Sequence, residues 1–210
     1  MKKIYFVRHG ESEGNFLRIH QSKNTPLTEV GQSQAKIVAL RFSKIQVASV
    51  IASPCLRAQQ TAQAIADKND LKIETNDLFT EKKGPSELIG ISQQSEQSKQ
   101  IRKELGERLF EQHGNWRYSD EETIAEFAKR AEDALKFLSQ RTEENLAVVY
   151  HALILRMIIA KILNPTGDLK NLYDIYENFE LNNTSISVAS YDDEKQAWKI
   201  NCINDYSHLG

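Results

Sequence analysis

Residues 3–12 read KIYFVRHGES, and this stretch carries the strongest indication of both the fold and the position of a site. Its first five residues are mainly β-branched, aromatic or otherwise apolar, which indicates a short buried strand. The strand ends in a turn that carries Arg8, His9 and Gly10. Open α/β sheets bind ligands beyond the carboxyl ends of their strands, so we expect these three residues at the rim of such a sheet.

The alternation of a strand with a helix recurs further along the chain. A second strand, 48–52, precedes a helix for which we expect Ser53 as the N-cap and Pro54 as the first helical residue. A later strand, 146–150, is followed directly by an apolar helix over 152–163. This alternation predicts a three-layer α/β/α sandwich, in which a mostly parallel sheet is flanked by helices.

Residues from about 79 to 143 interrupt the alternation. They contain an aperiodic loop and then two amphipathic helices, whose apolar stripes are Ile101, Leu105 and Leu109 in the first and Ile124, Phe127, Ala131, Leu135 and Leu138 in the second. We therefore expect one domain over residues 1–210 with a helical cap insertion. Two further apolar runs, 185–191 and 197–203, predict a C-terminal hairpin added to the sheet.

Three of the predicted strands deliver cationic or imidazole side chains to the same rim. Besides Arg8 and His9, these are Arg57 in the helix after the second strand and His151 at the end of strand 146–150. Guanidinium groups bind phosphate oxygens in bidentate fashion and keep their charge. A neutral imidazole beside them is a suitable nucleophile for phosphorus, so the sequence predicts phosphoryl chemistry at this rim.

The composition excludes several other classes of function. Lys and Arg number 27 and Asp and Glu number 29, a formal net charge of −2, which gives no general attraction to nucleic acid or anionic lipid. Cys55 and Cys202 follow no metal or redox spacing. The apolar runs 4–7 and 152–163 are too short for a signal peptide core and a membrane span respectively. We expect a cytoplasmic protein with neither nucleic acid nor membrane as a partner.

Five ordered segments carry a resemblance to a known family. They are Arg8–Ser12 with Asn15, Pro26–Gln32, Ser53–Ala62, Leu78–Glu81, and Val148–His151 with Leu155 and Arg156. Together they resemble the signature segments of the histidine phosphatase superfamily, which includes the cofactor-dependent phosphoglycerate mutases. An isolated Arg-His-Gly tripeptide would be weak evidence, but four companion segments in the same order make a chance match a poor explanation.

The resemblance implies a role for each matching residue. It makes His9 the nucleophile and Glu81 the acid that protonates the leaving group. The phosphate pocket that it implies consists of Arg8, Asn15, Arg57, His151 and Ala152. It calls for no metal and no cofactor, because the two arginines and His151 offset the charge of the transition state.

Two features depart from the family pattern. Ala152 stands where a glycine usually follows the second histidine, and an alanine there would be strained if the position required a positive φ. The acid segment also contains Glu87, which competes with Glu81 for the role of proton donor. The spacing of Glu81 from Leu78 favours Glu81.

Three functions therefore stay open, and the first is favoured. The first is a metal-independent phosphomonoesterase that acts on a small phosphorylated metabolite through a phosphohistidine at His9. The second is a phosphoglycerate mutase, although such mutases usually carry a tryptophan where Gly14 stands and are generally longer. The third is a phosphate-binding regulatory module with little turnover, which Ala152 and the loosely defined acid leave open. The sequence determines neither the natural substrate nor the oligomeric state, and a homodimer stays open.

Overall fold

Six strands form one sheet in the computed structural model, which describes residues 1–210. They are β1 (Lys2–Arg8), β2 (Ser49–Ala52), β3 (Ile73–Thr75), β4 (Asn145–Tyr150), β5 (Ile186–Asp192) and β6 (Ala197–Asp205). Their order is β3-β2-β4-β1-β5-β6. The first four strands are parallel, whereas β5 pairs antiparallel with β1 and β6 pairs antiparallel with β5. The predicted mostly parallel sheet with a C-terminal hairpin is confirmed.

Seven helices accompany the sheet. They are α1 (Glu13–Phe16), α2 (Glu29–Phe42), α3 (Leu56–Asn69), α4 (Glu96–Glu107), α5 (Ile124–Ser139), α6 (Ala152–Leu163) and α7 (Leu169–Glu177). Short 3₁₀ turns lie at Asp77–Phe79, Ser86–Leu88, Glu111–Gly114 and Ser207–Leu209. No helix combines the length and the apolar character that crossing a membrane requires.

Alternate residues of the strands face two separate hydrophobic clusters, one on each side of the sheet. In β4, Leu146 and Val148 pack in the cluster that α5, α6 and α7 complete, whereas Ala147 and Val149 pack in the cluster that α2 and α3 complete. Successive side chains of a strand point to opposite faces, so a sheet covered on both sides needs apolar residues at nearly every position. This is why β4 appears in the sequence as a continuous apolar run.

The start of α3 differs from the prediction. The helix begins at Leu56 with Cys55 as its N-cap, two residues later than the expected cap at Ser53. The hydroxyl of Ser53 instead accepts a hydrogen bond from the Cys55 N–H at 3.3 Å and lies 2.8 Å from Nε2 of His151. Ser53 and Pro54 thus belong to the connection between β2 and α3, and the serine hydroxyl contacts His151 at the end of the neighbouring strand β4. The N-cap of α2 is Thr28, whose side chain accepts a hydrogen bond from the Gly31 N–H.

The second of the two helices expected in the cap, α5, lies in the flanking layer instead. Its residues Phe127, Ala131 and Leu138 are fully buried in the cluster that also contains Phe6 and Val148. Of the two helices expected in the cap, only α4 lies outside this core, and its buried apolar residue is Ile101. An amphipathic stripe shows that a helix packs on something, but it does not show on what. The helix α7, for which we made no prediction, buries Leu172 and Tyr176 in the same cluster.

A close backbone contact joins the loop after β1 to the first turn of α2. A Cβ atom built on Gly31 would lie 1.9 Å from the carbonyl oxygen of Glu11, and one built on Gly10 would lie 2.4 Å from the carbonyl oxygen of Gly31. The N–H of Thr28 also donates to the Glu11 carbonyl at 3.0 Å. The loop that carries His9 is therefore packed directly against α2, with no space for a side chain between them.

We expect Gly31→Ala to lower the free energy of unfolding by about 1–3 kcal/mol, because the added methyl group meets backbone that no rotamer change can move. Urea denaturation of the purified variant measures this loss. The matched control is Gly106→Ala in α4, where a Cβ meets nothing within 4 Å. There the better helix propensity of alanine should add about 0.5–1 kcal/mol. Equal stabilities for the two variants would contradict the close contact.

Candidate active site

A cleft of about 790 Å³ contains nearly all the residues that the sequence predicts for the site. Arg8 and His9 come from the end of β1, and Arg57 comes from the first turn of α3. The loops and helix starts around them add Asn15, Glu81 and Ala152 to the lining. His151, at the end of β4, is fully buried, and the centroid of its ring lies 5.0 Å from that of His9. The parallel strands thus bring together residues that are far apart in the sequence.

The orientation of the His9 ring is set by its own backbone neighbour. Nδ1 of His9 lies 2.7 Å from the carbonyl oxygen of Gly10, which can only accept a hydrogen bond. The neutral ring therefore carries its proton on Nδ1, and the lone pair is on Nε2. A nucleophile must have such a free lone pair, so Nε2 is the atom that can attack phosphorus.

Burial and positive neighbours keep both histidines neutral. Burial lowers the pKa of His9 well below its usual range, and the charges of Arg57 and Arg8 lower it further. Burial also lowers the pKa of His151, with smaller contributions from His9 and the two arginines. An imidazolium at His9 could not act as a nucleophile, so this environment preserves the reactive form at neutral pH.

The two arginines are held by backbone carbonyls. Arg57 donates from Nη1 to the carbonyl oxygen of Ser22 at 3.0 Å, and Arg8 donates from Nη1 to the carbonyl oxygen of Leu181. The Nε atoms of both arginines and Nδ1 of His151 are buried without any partner in the chain. Buried polar groups are nearly always hydrogen-bonded, because leaving one unpaired costs about 1–3 kcal/mol. Three such groups in one cluster indicate a site for an anion.

Glu81 lies in the wall of the cleft, against the first turn of α6. Its carboxylate accepts hydrogen bonds from the N–H groups of Leu153 and Ile154, both at 3.2 Å, and from that of Lys82 at 2.9 Å. Burial nevertheless raises the pKa of Glu81, although these donors and the charges of Arg57 and Arg8 oppose the shift. A raised pKa suits a carboxyl group that must hold a proton and then donate it.

The competing acid is placed differently. Glu87 is exposed and does not line the cleft, and its carboxylate faces Tyr118 instead. Of the two carboxylates that the sequence left open, only Glu81 lies beside the anion site.

Asn15 lines the cleft and also caps a short helix. Its side-chain oxygen lies 2.8 Å from the hydroxyl of Ser12, the N-cap of α1, and 3.4 Å from Nδ2 of Asn183. Because the oxygen is engaged in this way, the amide nitrogen is the group that Asn15 can offer to an anion. This geometry is compatible with the secondary role in phosphate binding that we predict for it.

Ala152 is not strained. It is the first residue of α6 and has no positive φ, while His151 before it is the extended N-cap residue with φ −124°. The strain considered for an alanine at this position therefore does not arise, because a helical conformation suits alanine. Ala152 lines the cleft at the amino end of α6, where backbone N–H groups lack intrahelical partners.

Three supporting residues were given no role in the site from the sequence, although Ser53 and Thr61 lie in one of the family-like segments. Ser53 contacts His151, and the side-chain amide of Asn183 donates to the carbonyl oxygen of His9 at 3.0 Å. The hydroxyl of Thr61 accepts from the Gly10 N–H at 3.1 Å and donates to the Arg57 carbonyl one helical turn earlier at 2.8 Å. The spacing of four residues places Thr61 on the same face of α3 as Arg57, which the sequence could have indicated. The positions of Ser53 and Asn183 depend on the tertiary structure.

The rim presents unpaired cationic donors and a neutral imidazole at the carboxyl ends of parallel strands, which defines a class of α/β proteins that bind a phosphoryl group there. No group of three or more His, Cys, Asp or Glu side chains is placed to hold a metal ion. The family model of the histidine phosphatase superfamily (branch 1) matches residues 4–205, and the chain belongs to this family.

Individual relatives agree with this assignment. A protein named probable phosphoglycerate mutase GpmB, from Yersinia enterocolitica, is 29% identical over all of this chain and 95% of its own length. The fold is shared with YhfR from Bacillus stearothermophilus, with a TM-score of 0.82, 20% identity and full coverage of both chains. It is also shared with a phosphoserine phosphatase from Entamoeba histolytica in complex with phosphoserine, with a TM-score of 0.79, 24% identity and full coverage of both chains.

Two buried neutral histidines should make the protein less stable in mild acid. In the unfolded chain each imidazole binds a proton near its ordinary pKa of about 6.5, whereas in the folded protein the pKa values of His9 and His151 are lowered. Stability is therefore present above the unfolded pKa and is lost as the pH falls below it. The expected loss is on the order of 1 kcal/mol per histidine between about pH 6.5 and about pH 5.5.

Urea denaturation of the parent and of His151→Gln at several pH values measures this effect. The variant should lose less stability between the two pH values, by the contribution of one histidine. His113→Gln, at an exposed histidine, is the matched control and should retain the pH dependence of the parent. A parallel pH dependence for parent and His151→Gln would show that His151 is protonated in the folded protein.

Proposed function

We propose that the protein is a metal-independent phosphomonoesterase that acts through a phosphohistidine on His9. The observation that carries the proposal is the hydrogen bond of 2.7 Å between Nδ1 of His9 and the Gly10 carbonyl, which leaves Nε2 as a neutral nucleophile beside two arginines. Binding of an anion alone would not require a neutral, oriented imidazole among these cations. The same arrangement therefore favours turnover over the third candidate, a regulatory module.

In the first step, Nε2 of His9 attacks phosphorus while the bond between phosphorus and the ester oxygen breaks. Glu81 in its protonated form, which burial favours by raising its pKa, donates its proton to that oxygen as the alcohol leaves. Arg8 and Arg57 bind the other phosphoryl oxygens, whose charge they offset throughout the step. The products are an alcohol, phosphorylated His9 and the Glu81 carboxylate.

In the second step, water replaces the alcohol. The Glu81 carboxylate takes a proton from the water, whose oxygen attacks phosphorus. The bond between phosphorus and Nε2 breaks, and its electron pair returns to the imidazole of His9. Inorganic phosphate leaves, and both His9 and Glu81 are again in their starting forms.

The lining of the cleft supports a small phosphorylated metabolite as the substrate. Beyond the two arginines of the phosphate pocket it contains Lys23, Lys82, Lys83 and Arg102, and its only acidic residue is Glu81. A local excess of positive charge in a chain of net charge −2 favours anionic ligands. Phosphoserine, bound by the structural relative from Entamoeba histolytica, is such a ligand.

Phosphoglycerate mutase activity is the second candidate, because curated relatives carry that name. The expectation that mutases are longer does not separate the two activities, since the chain covers 95% of the length of these relatives. The structure also bears on the tryptophan that such mutases usually carry at the position of Gly14. Gly14 is buried, and a Cβ there would lie 2.2 Å from Cγ of Gln21, so a tryptophan would not fit without rearrangement.

Trapping of the intermediate tests the proposed function. Brief incubation with a labelled phosphomonoester, followed by alkaline denaturation, should leave an acid-labile, base-stable label on the protein. His9→Ala should abolish this label, because it removes Nε2, while His113→Ala should retain it. In the parent, the label should be released as inorganic phosphate. Transfer of the label to added phosphoglycerate would identify a mutase, and the absence of any label or turnover would identify a binding module.

The role of Glu81 is tested by varying the leaving group. An alkyl phosphate needs a proton on its departing oxygen, so Glu81→Gln should lower kcat/KM by a factor on the order of 10² to 10⁴. A nitrophenyl phosphate has a leaving group that departs unaided, so the loss should be much smaller. Glu87→Gln is the matched control and should show no such contrast. If the contrast appeared in Glu87→Gln instead, the acid would be Glu87.

A further inference from the structure

We propose that Arg130 in α5 is a positioning residue for the acid, which holds the segment that carries Glu81 in place for proton donation. The inference rests on the proposed function, because it assumes that Glu81 donates a proton. Arg130 does not line the cleft and belongs to none of the family-like segments of the sequence. Two of its hydrogen bonds nevertheless reach the backbone just before Glu81.

The first group of contacts precedes the acid along the chain. Nη1 of Arg130 donates to the carbonyl oxygens of Leu78 at 2.9 Å and of Thr80 at 2.7 Å. These two carbonyls belong to the residues just before Glu81, so a single nitrogen spans the turn that leads to the acid. Hydrogen bonds from a charged donor are stronger than neutral ones, which suits a group that fixes an otherwise irregular segment.

The guanidinium itself is fixed by an ion pair and a ring. Its Nε and Nη2 atoms donate to the two carboxylate oxygens of Glu122, both at 2.7 Å, and the two side chains are only 18% and 14% exposed. The guanidinium carbon also lies 5.2 Å from the ring centroid of Phe127, a fully buried residue of α5. A bidentate, largely buried pair permits little freedom of rotation.

Glu122 also binds the segment after the acid. Its N–H donates to the carbonyl oxygen of Lys83 at 2.9 Å, and its carboxylate accepts from the Lys83 N–H at 3.4 Å. The backbone is thus tied to the same ion pair on both sides of Glu81. The carboxylate of Glu81 is held separately by the first turn of α6. The acid therefore lies between two helices, with its backbone fixed from α5 and its carboxylate fixed from α6.

This arrangement gives Arg130 a specific effect on the reaction. A general acid must come within about 2.6–3.2 Å of the atom that it protonates, and a misplacement of about 1 Å can cost a factor on the order of 10². Arg130 makes no hydrogen bond to His9, Arg8 or Arg57. Its charge reaches the phosphate pocket only as a small contribution, less than those of burial, His9, Arg57 and Arg8, to the lowered pKa of His151. Its loss should impair proton donation and leave nucleophilic attack largely intact.

The experiment compares Arg130→Met with Arg141→Met on the two types of substrate. Arg141 is a matched control, because it is similarly buried, at 23% exposure, and pairs with Glu143 and Glu74 instead of with the acid segment. Arg130→Met should lower kcat/KM for an alkyl phosphate by about 10- to 100-fold and for a nitrophenyl phosphate by less than about 3-fold. Arg141→Met should change neither by more than about 2-fold.

A double variant tests whether Arg130 acts through Glu81. If it does, adding Arg130→Met to Glu81→Gln should cause little further loss with the alkyl phosphate, because the two effects are not additive. Arg130→Lys, which retains one charged donor for the carbonyls, should recover part of the activity. Equal losses on both substrates, or additive losses in the double variant, would overturn the proposal.

Two further measurements keep the outcome unambiguous. If Arg130→Met does not fold, Glu122→Gln weakens the same ion pair without truncating either side chain. This variant should also lose more kcat/KM with the alkyl phosphate than with the nitrophenyl phosphate, but by a smaller factor. Absence of that contrast in a folded Glu122→Gln would also overturn the proposal. Failure of the proposed function itself has different signatures, because the parent would then form no label, or would transfer it to phosphoglycerate, or His9→Ala would retain it.

Discussion

The hydrogen bond between Nδ1 of His9 and the Gly10 carbonyl is the contact on which the candidate site depends. It decides which nitrogen of the ring is free, and it can do so only because the loop after β1 has a fixed conformation. That conformation in turn requires Gly10 and Gly31, whose backbones approach too closely for any side chain between them. The reactivity of one imidazole is thus a consequence of how tightly α2 packs on the end of β1.

Electrostatics adds a second constraint. Two arginines lie beside two neutral histidines at this rim, and the like charges of Arg8 and Arg57 raise the free energy of the folded protein unless an anion offsets them. These cations lie together at one rim of a chain whose overall charge is close to neutral. The buried atoms without partners on Arg8, Arg57 and His151 are the groups that would bind a phosphoryl group in the function that we propose. Membership of the histidine phosphatase superfamily agrees with this interpretation.

The acid shows how a less regular part of the chain obtains a defined geometry. Glu81 follows a 3₁₀ turn in a segment without periodic structure, and such a segment has no internal hydrogen-bond ladder to keep it in place. Two regular helices hold it, because Arg130 of α5 binds the backbone just before Glu81 and the first turn of α6 binds the Glu81 carboxylate. Rigid elements of the core thus fix the position of a residue that lies in a loop, as the proposed proton transfer requires.

The sequence by itself determined the alternation of strands and helices, the parallel sheet and the rim that gathers Arg8, His9, Arg57 and His151. These follow from local apolar patterns and from residues adjacent to strand ends, which a linear reading can recognise. Tertiary structure decided the rest. It placed α5 in the core rather than in a cap, moved the start of α3 to Leu56, brought Glu81 rather than Glu87 to the cleft, and joined Arg130 to the acid segment. Each of these depends on contacts between residues distant in the chain, and a periodic pattern indicates that a face is buried without indicating its partner.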